Sequence, residues 1–245
     1  RERLAGLRSA RQLAPGRGEL VSRLVDGVPP ARSAQRQAHR AAFAVRAAEG
    51  MLVEHAVGAR RAPEQVDLHR IEHAALCPEV CIDELADLHV AIVTQPAFLW
   101  YHGRRYAAEI DAEQQPWLYR VKSLLARGVP VAGSSDAPVV PPLPLEGVHA
   151  AVARQTPDGH IIGADERVSV EEALWLYTQG AAWVCGLESE LGSIRRGKRA
   201  DLVFLAADPT RVPVADISQI QVCMTMVDGV VQWRGHTPAH ELCDL

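Results

Sequence analysis

Two stretches of this 245-residue chain gather side chains able to move a proton or hold a cation. The first is GVPVAGSSDAP, residues 128–138. Val129, Val131 and Ala132 form a short apolar run of the kind a buried parallel strand has. The run breaks into Gly133-Ser134-Ser135, and a lone carboxylate, Asp136, follows. A carboxylate at the carboxyl end of a buried strand is where α/β proteins place chemistry. An Asp after a Ser pair also caps a helix or shapes a turn, so this stretch alone leaves both roles open.

The second stretch is His69-Arg70-Ile71-Glu72-His73. Zinc proteases place Glu directly after the first His of such a pair; Arg70 holds that position here, so the protease reading fails. On a strand, His69, Ile71 and His73 face one way and Arg70 and Glu72 the other. A neutral imidazole at one strand's carboxyl end, with a carboxylate at another strand's end, suits Zn²⁺ or a similar divalent ion. The competing role for a lone His is a bond to a backbone carbonyl. With Asp136 arriving two strands later, His73 is the expected ligand and His69 is not.

Further candidates sit nearby. Gln95 ends a strand-like run, and Arg154 follows a Pro-rich loop; each is a candidate for substrate contact, and each could equally be a surface group or one that supports the site from behind. Trp100 and Tyr101 lie in 97–116, a stretch that reads as a long loop. Such loops wall substrate pockets over strand ends in barrels, although simple packing on a helix accounts for the aromatics equally well. Cys77 and Cys81 share one helical face, a spacing wider than zinc or redox pairs use, which leaves packing as their role. Residues 192–198 match a phosphate loop except that Arg199 replaces the Ser/Thr, no strand leads in and a strand follows, so that match is rejected.

The elements that must position these residues alternate. Residues 78–88 read as helix and 89–95 as strand; 117–127 reads as helix stopped by Gly128, and 145–154 as another helix. Ser169 and Glu172 form a capping box opening a helix through Cys185, closed by Gly186. Strand and helix therefore recur from His69 to Gly186, which means parallel βαβ units. Short strands follow at 201–206, 222–227 and 230–233, the last two joined by the hairpin signal Asp228-Gly229. The expected organisation is an irregular Arg/Ala-rich segment at 1–50, a domain of parallel βα units, part of a barrel, at 51–186, a β-rich module at 187–235 and a tail at 236–245.

Net charge is −4, with +6 in residues 1–50 and −10 in the rest. The basic segment alternates Arg with Ala, Gly and Pro and has few aromatics, so nucleic acid is not an expected partner. No apolar run approaches a membrane span, no signal peptide opens the chain, and five cysteines are an odd number. We therefore expect a cytoplasmic protein with reduced thiols and no membrane partner.

HRIEHA (69–74), VTQPAFL (93–99), GSSDAPV (133–139), EEALWLYTQGAAWVCG (171–186) and LGSIRRGKRADLVFLAADP (191–209) occur in an order that resembles the metal-dependent amidohydrolase superfamily. The resemblance is to its amidohydrolase 3 branch, which includes N-substituted formamide deformylase-like proteins, and runs from about Met51 to Gly235. It implies the carboxyl-terminal part of a distorted (β/α)8 barrel plus part of a small β-sandwich. It also implies His73 as metal ligand and Asp136 as metal ligand and general base, with a divalent metal, zinc by expectation, and a small amide-type substrate. The family's His-x-His pair is absent from the sequence. Spacing back from Glu54 puts His39 at a further ligand position, with unfamiliar neighbours, as truncation plus a frame disturbance in 1–50 would produce. Missing strands would leave edges and an apolar face open to aggregation or to a second copy, making a catalytically incomplete fragment the alternative reading.

Overall fold

β-branched and small apolar residues at 91–94 and 131–133 give strands buried on both faces, and helices supply the cover. The computed structural model describes residues 56–59 and 68–235. Strands β1 (Ala56–Ala59), β2 (Leu68–Glu72), β3 (Ala91–Thr94) and β4 (Val131–Gly133) form one sheet in that order. β2, β3 and β4 are parallel, while β1 runs antiparallel along the outer side of β2. The parallel core expected from the alternating pattern is therefore present, with one strand edge covered by β1.

The crossovers are helices. α1 (Glu79–Asp87) starts after Pro78 and links β2 to β3. α2 (Ala97–Glu109), a 3-10 turn at Gln115–Trp117 and α3 (Lys122–Ala126) link β3 to β4. α4 (Pro144–Ala153) follows β4. Two expectations are corrected here: 97–116 is mostly helix rather than loop, and the helix expected at 117–127 shrinks to α3. Pro96 presets the start of α2, and buried Phe98, Leu99 and Tyr106 lie on its inner side. Gly103 hides the pattern because an added Cβ would lie 2.4 Å from Thr156 Cγ2, so close packing demands the poor helix former.

α5 (Val170–Trp175) opens with the capping box, Ser169 Oγ accepting from the Glu172 amide and Glu172 accepting from the Ser169 amide. The helix does not run unbroken to Cys185: a π-helical turn, Leu176–Gly180, intervenes before α6 (Ala181–Val184). Gly180 then seats against β4, where a Cβ would come within 2.6 Å of the Val131 oxygen.

One core joins Ile71, Ile92 and Val131 of the sheet to Ile82 and Leu85 of α1, Leu124 of α3, Val148 of α4 and Leu176. On the opposite face Ala91 and Ala132 pack on Val184. A second core holds Phe98, Leu99 and Tyr106 against Leu118, Tyr119 and Ile162. A separate antiparallel sheet comprises β5 (Leu202–Leu205), β6 (Val222–Val227) and β7 (Val230–Arg234). Its β6–β7 turn has Asp228 and Gly229 both at positive φ, the requirement of a two-residue I′ hairpin.

Candidate active site

The register of the parallel strands sets the site. Glu72 pairs with Val93 and Thr94 with Gly133, so β2, β3 and β4 end side by side. The His73 amide donates to the Val93 oxygen at 2.8 Å, and the Ser134 amide donates to the Thr94 oxygen at 2.9 Å. With neighbouring strands about 4.8 Å apart, the chain at His73 and the chain entering the Asp136 turn stand about 10 Å apart, with Gln95 between them.

Backbone conformation marks both outer residues. His73, Ala74 and Asp136 have φ of 70°, 46° and 56°. Such left-handed conformations cost non-glycine residues on the order of 1–3 kcal/mol and persist only where the surroundings impose them. In the Asp136 turn the Asp136 amide donates to Ser134 Oγ at 3.2 Å, the Ala137 amide to Ser135 Oγ at 3.3 Å, and the Val139 amide to the Asp136 oxygen at 2.9 Å. The serine hydroxyls shape the turn, and α4, which begins at Pro144, has no side-chain cap. The helix-capping role for Asp136 is thereby removed.

Gln95 is 1% exposed; its Nε2 donates to the Val93 oxygen at 3.3 Å, and its Oε1 is buried without a partner. Thr94 Oγ1 beside it is also buried and unpartnered. His69 lies lower on β2, opposite Gly58. Trp100 and Tyr101 turn toward α4. The Trp100 ring meets His149 edge-on at 5.2 Å, and the Tyr101 hydroxyl donates to Glu146 Oε2 at 2.5 Å. Burial and that carboxylate push the Tyr101 phenol up to about 12. His149 is buried and held below the usual imidazole range by desolvation.

Arg154, one of the substrate-contact candidates, is committed to the main chain. It is 1% exposed, and its Nε, Nη1 and Nη2 donate to the oxygens of Ile162, Tyr119 and Leu118. Desolvation lowers it to about 10, which leaves it a cation at neutral pH. Cys77 and Cys81 are buried thiols raised to about 12 and 11, chiefly by desolvation, as unreactive packing residues should be.

Two residues near the site were not singled out from sequence. Phe98 places its ring 6.3 Å from that of His73. Tyr177, in the π-helical turn, fills the space that side chains at Gly133 and Gly147 would occupy, and its hydroxyl is buried without a partner. The paired glycines were the available signal, but nothing in the sequence linked them to Tyr177.

A divalent ion is the expected cofactor. Among the described residues no three His, Cys, Asp or Glu side chains gather as a metal site. His73 and Asp136 give two donors, and a catalytic zinc takes three plus water. The described residues alone do not fit a resident ion, and His39 lies outside them.

A parallel α/β sheet with its polar residues at the carboxyl strand ends defines a class of protein whose chemistry sits on βα loops. Residues 19–232 match the model of the amidohydrolase family. The chain belongs to that family, and the match begins well before Met51. N-substituted formamide deformylase of Arthrobacter pascens is 36% identical over 166 residues, covering 67% of this chain and 31% of that protein. A metal-dependent hydrolase of Pyrococcus furiosus aligns with TM-score 0.51 and 35% identity over 58% of this chain and 29% of its own. One from Pyrococcus horikoshii OT3 aligns with TM-score 0.53 and 30% identity, covering 60% and 30%. The chain spans about a third of the length of the curated relatives it matches. No helix among the described residues is long and apolar enough to cross a membrane.

Proposed function

We propose that this chain carries the base-bearing part of a hydrolase that cleaves amide-type C–N bonds of small molecules, with Asp136 as general base. The observation that supports this is the placing of His73 and Asp136 beyond the same ends of two parallel strands that flank β3, both held in left-handed conformations. Asp136 Oδ takes a proton from water as the water oxygen bonds to the carbonyl carbon. The C–N bond then breaks, and the same proton passes to the leaving nitrogen. His73 follows β2 on the far side of β3 from Asp136, and the buried Gln95 follows β3 between them; the substrate-contact candidates Gln95, Trp100 and Tyr101 stay part of this proposal. A divalent ion in the complete site, zinc by expectation, would draw its remaining donors from outside the described residues, with His39 the candidate in this chain.

The test is turnover of N-formyl amines and cyclic amides by the purified chain together with its metal content. Asp136→Asn is expected to lower kcat/KM by about 10²–10⁴-fold, the range for a positioned proton acceptor. Equal turnover in wild type and variant sinks the base assignment. The two-donor count supports a second reading, in which the site is completed only by association. Turnover appearing only above a threshold protein concentration would select it.

A further inference from the structure

We propose that Arg154 is a positioning residue that ties the loop carrying His73 to the helix that follows Asp136. The inference rests on reading His73 and Asp136 as two sides of one site.

The loop after β2 is held by the segment that follows α2. The Tyr119 amide donates to the Ala75 oxygen and the Cys77 amide to the Trp117 oxygen, both at 3.0 Å, and Leu76 bridges Leu118. The Leu118 and Tyr119 carbonyls turn the other way, into the protein, where Arg154 receives them at 2.7 and 3.0 Å and holds the Ile162 oxygen at 2.8 Å. These three acceptors are neutral main-chain oxygens, and a buried carbonyl is costly to leave without a donor. A planar guanidinium reaches all three from fixed directions; an ammonium, a point charge on a flexible stem, does not reproduce that fork.

Arg154 stands at φ 47° directly after α4, the helix entered from the Asp136 turn. The connection therefore runs from the Asp136 turn along α4, through the guanidinium to residues 118 and 119, and across the bridge to Ala75 and His73. A ring path parallels it: Phe98 lies 5.6 Å from Tyr119 and 6.3 Å from His73. Tyr119 itself has φ 42°, so the strained conformations at 73, 74 and 119 share one brace.

The test uses the full 245-residue chain with Arg154→Lys and Arg154→Met, and Arg167→Met as control. Arg167 donates to the Ala153 oxygen, one residue from Arg154, and touches none of the three carbonyls. Amide hydrogen exchange is read at Cys77 and Tyr119, and the one-bond Cα–Hα coupling, which reports positive φ, at His73 and Ala74. Both Arg154 variants are expected to exchange at least 10-fold faster at Cys77 and Tyr119 and to shift the couplings at 73 and 74. The β6–β7 amides and the control should match wild type. Acceleration spread equally over the chain, no change at 73–77, or failure of both variants to fold overturns the proposal. None of these readings uses substrate, so a wild-type chain without turnover would remove the hydrolase reading while leaving this pattern intact.

Discussion

Glu166 and Arg120 form the most deeply buried ion pair of the described residues, with Nε to Oε1 at 2.8 Å. Burial works against the carboxylate, but bonds from the Ser123 hydroxyl and amide and from Arg120 outweigh it and hold Glu166 below the usual carboxylate range. A group lowered in the folded state stabilises at pH above its unfolded value, and that contribution is lost as pH falls through the folded value. Urea unfolding should therefore weaken steadily below about pH 4.3, the ordinary Glu value. Glu166→Gln should cost about 3 kcal/mol at pH 7, because it removes the buried carboxylate and leaves Arg120 paired only with the exposed Glu79. The gap between variant and wild type should narrow toward acid. A pH-independent gap would show that the pair does not titrate with folding. Arg120 also donates to the Cys77 oxygen, so this pair buttresses the same loop from the other side.

At the scale of elements, the π-helical turn Leu176–Gly180 decides how the last helices meet the sheet. Gly180→Ala would push a methyl against the Val131 oxygen and the Trp175 ring, both under 3 Å away. Overpacking of this kind costs about 1–3 kcal/mol, measurable as a lower urea midpoint with unchanged slope. An unaltered midpoint would mean that the turn relaxes freely. The turn was illegible in the sequence because LYTQGAAW satisfies helical spacing throughout; the extra residue is forced by Tyr177 wedging between Gly133 and Gly147. Ser169-x-x-Glu172 and Asp228-Gly229, by contrast, are local rules with local causes, and both were readable. α2 was missed because its aromatics and Gly103 serve contacts with residues 119 and 156, far away in sequence. Asp136 and His73 were found as strand-end residues, whereas the burial of Arg154 was not: a guanidinium serving main-chain oxygens leaves no pattern in composition or spacing.

For the molecule as a whole, the family match covers nearly the full chain while the chain covers about a third of its curated relatives. The open edges expected of a partial barrel are reduced by β1 along β2, and exposed apolar surface gathers on the small sheet instead, at Val203, Val227, Val230 and Trp233. That sheet joins the helical layer through residues 187–201, where Lys198 Nζ donates to the oxygens of Glu188 and Leu191 at 2.6 and 2.8 Å. In the run that scans as a phosphate loop, the lysine is thus committed to the main chain. The sequence contains one other lysine, Lys122, which is exposed. The chain thus carries a two-site reporter for amine-directed labelling. Mild acetylation should mark Lys122 several-fold faster than Lys198 by mass spectrometry, and equal rates would mean that the clip is open in solution. Any change that separates the small sheet from the helices should then register as a rise in one peptide against the other, with no need for substrate, metal or a spectroscopic label.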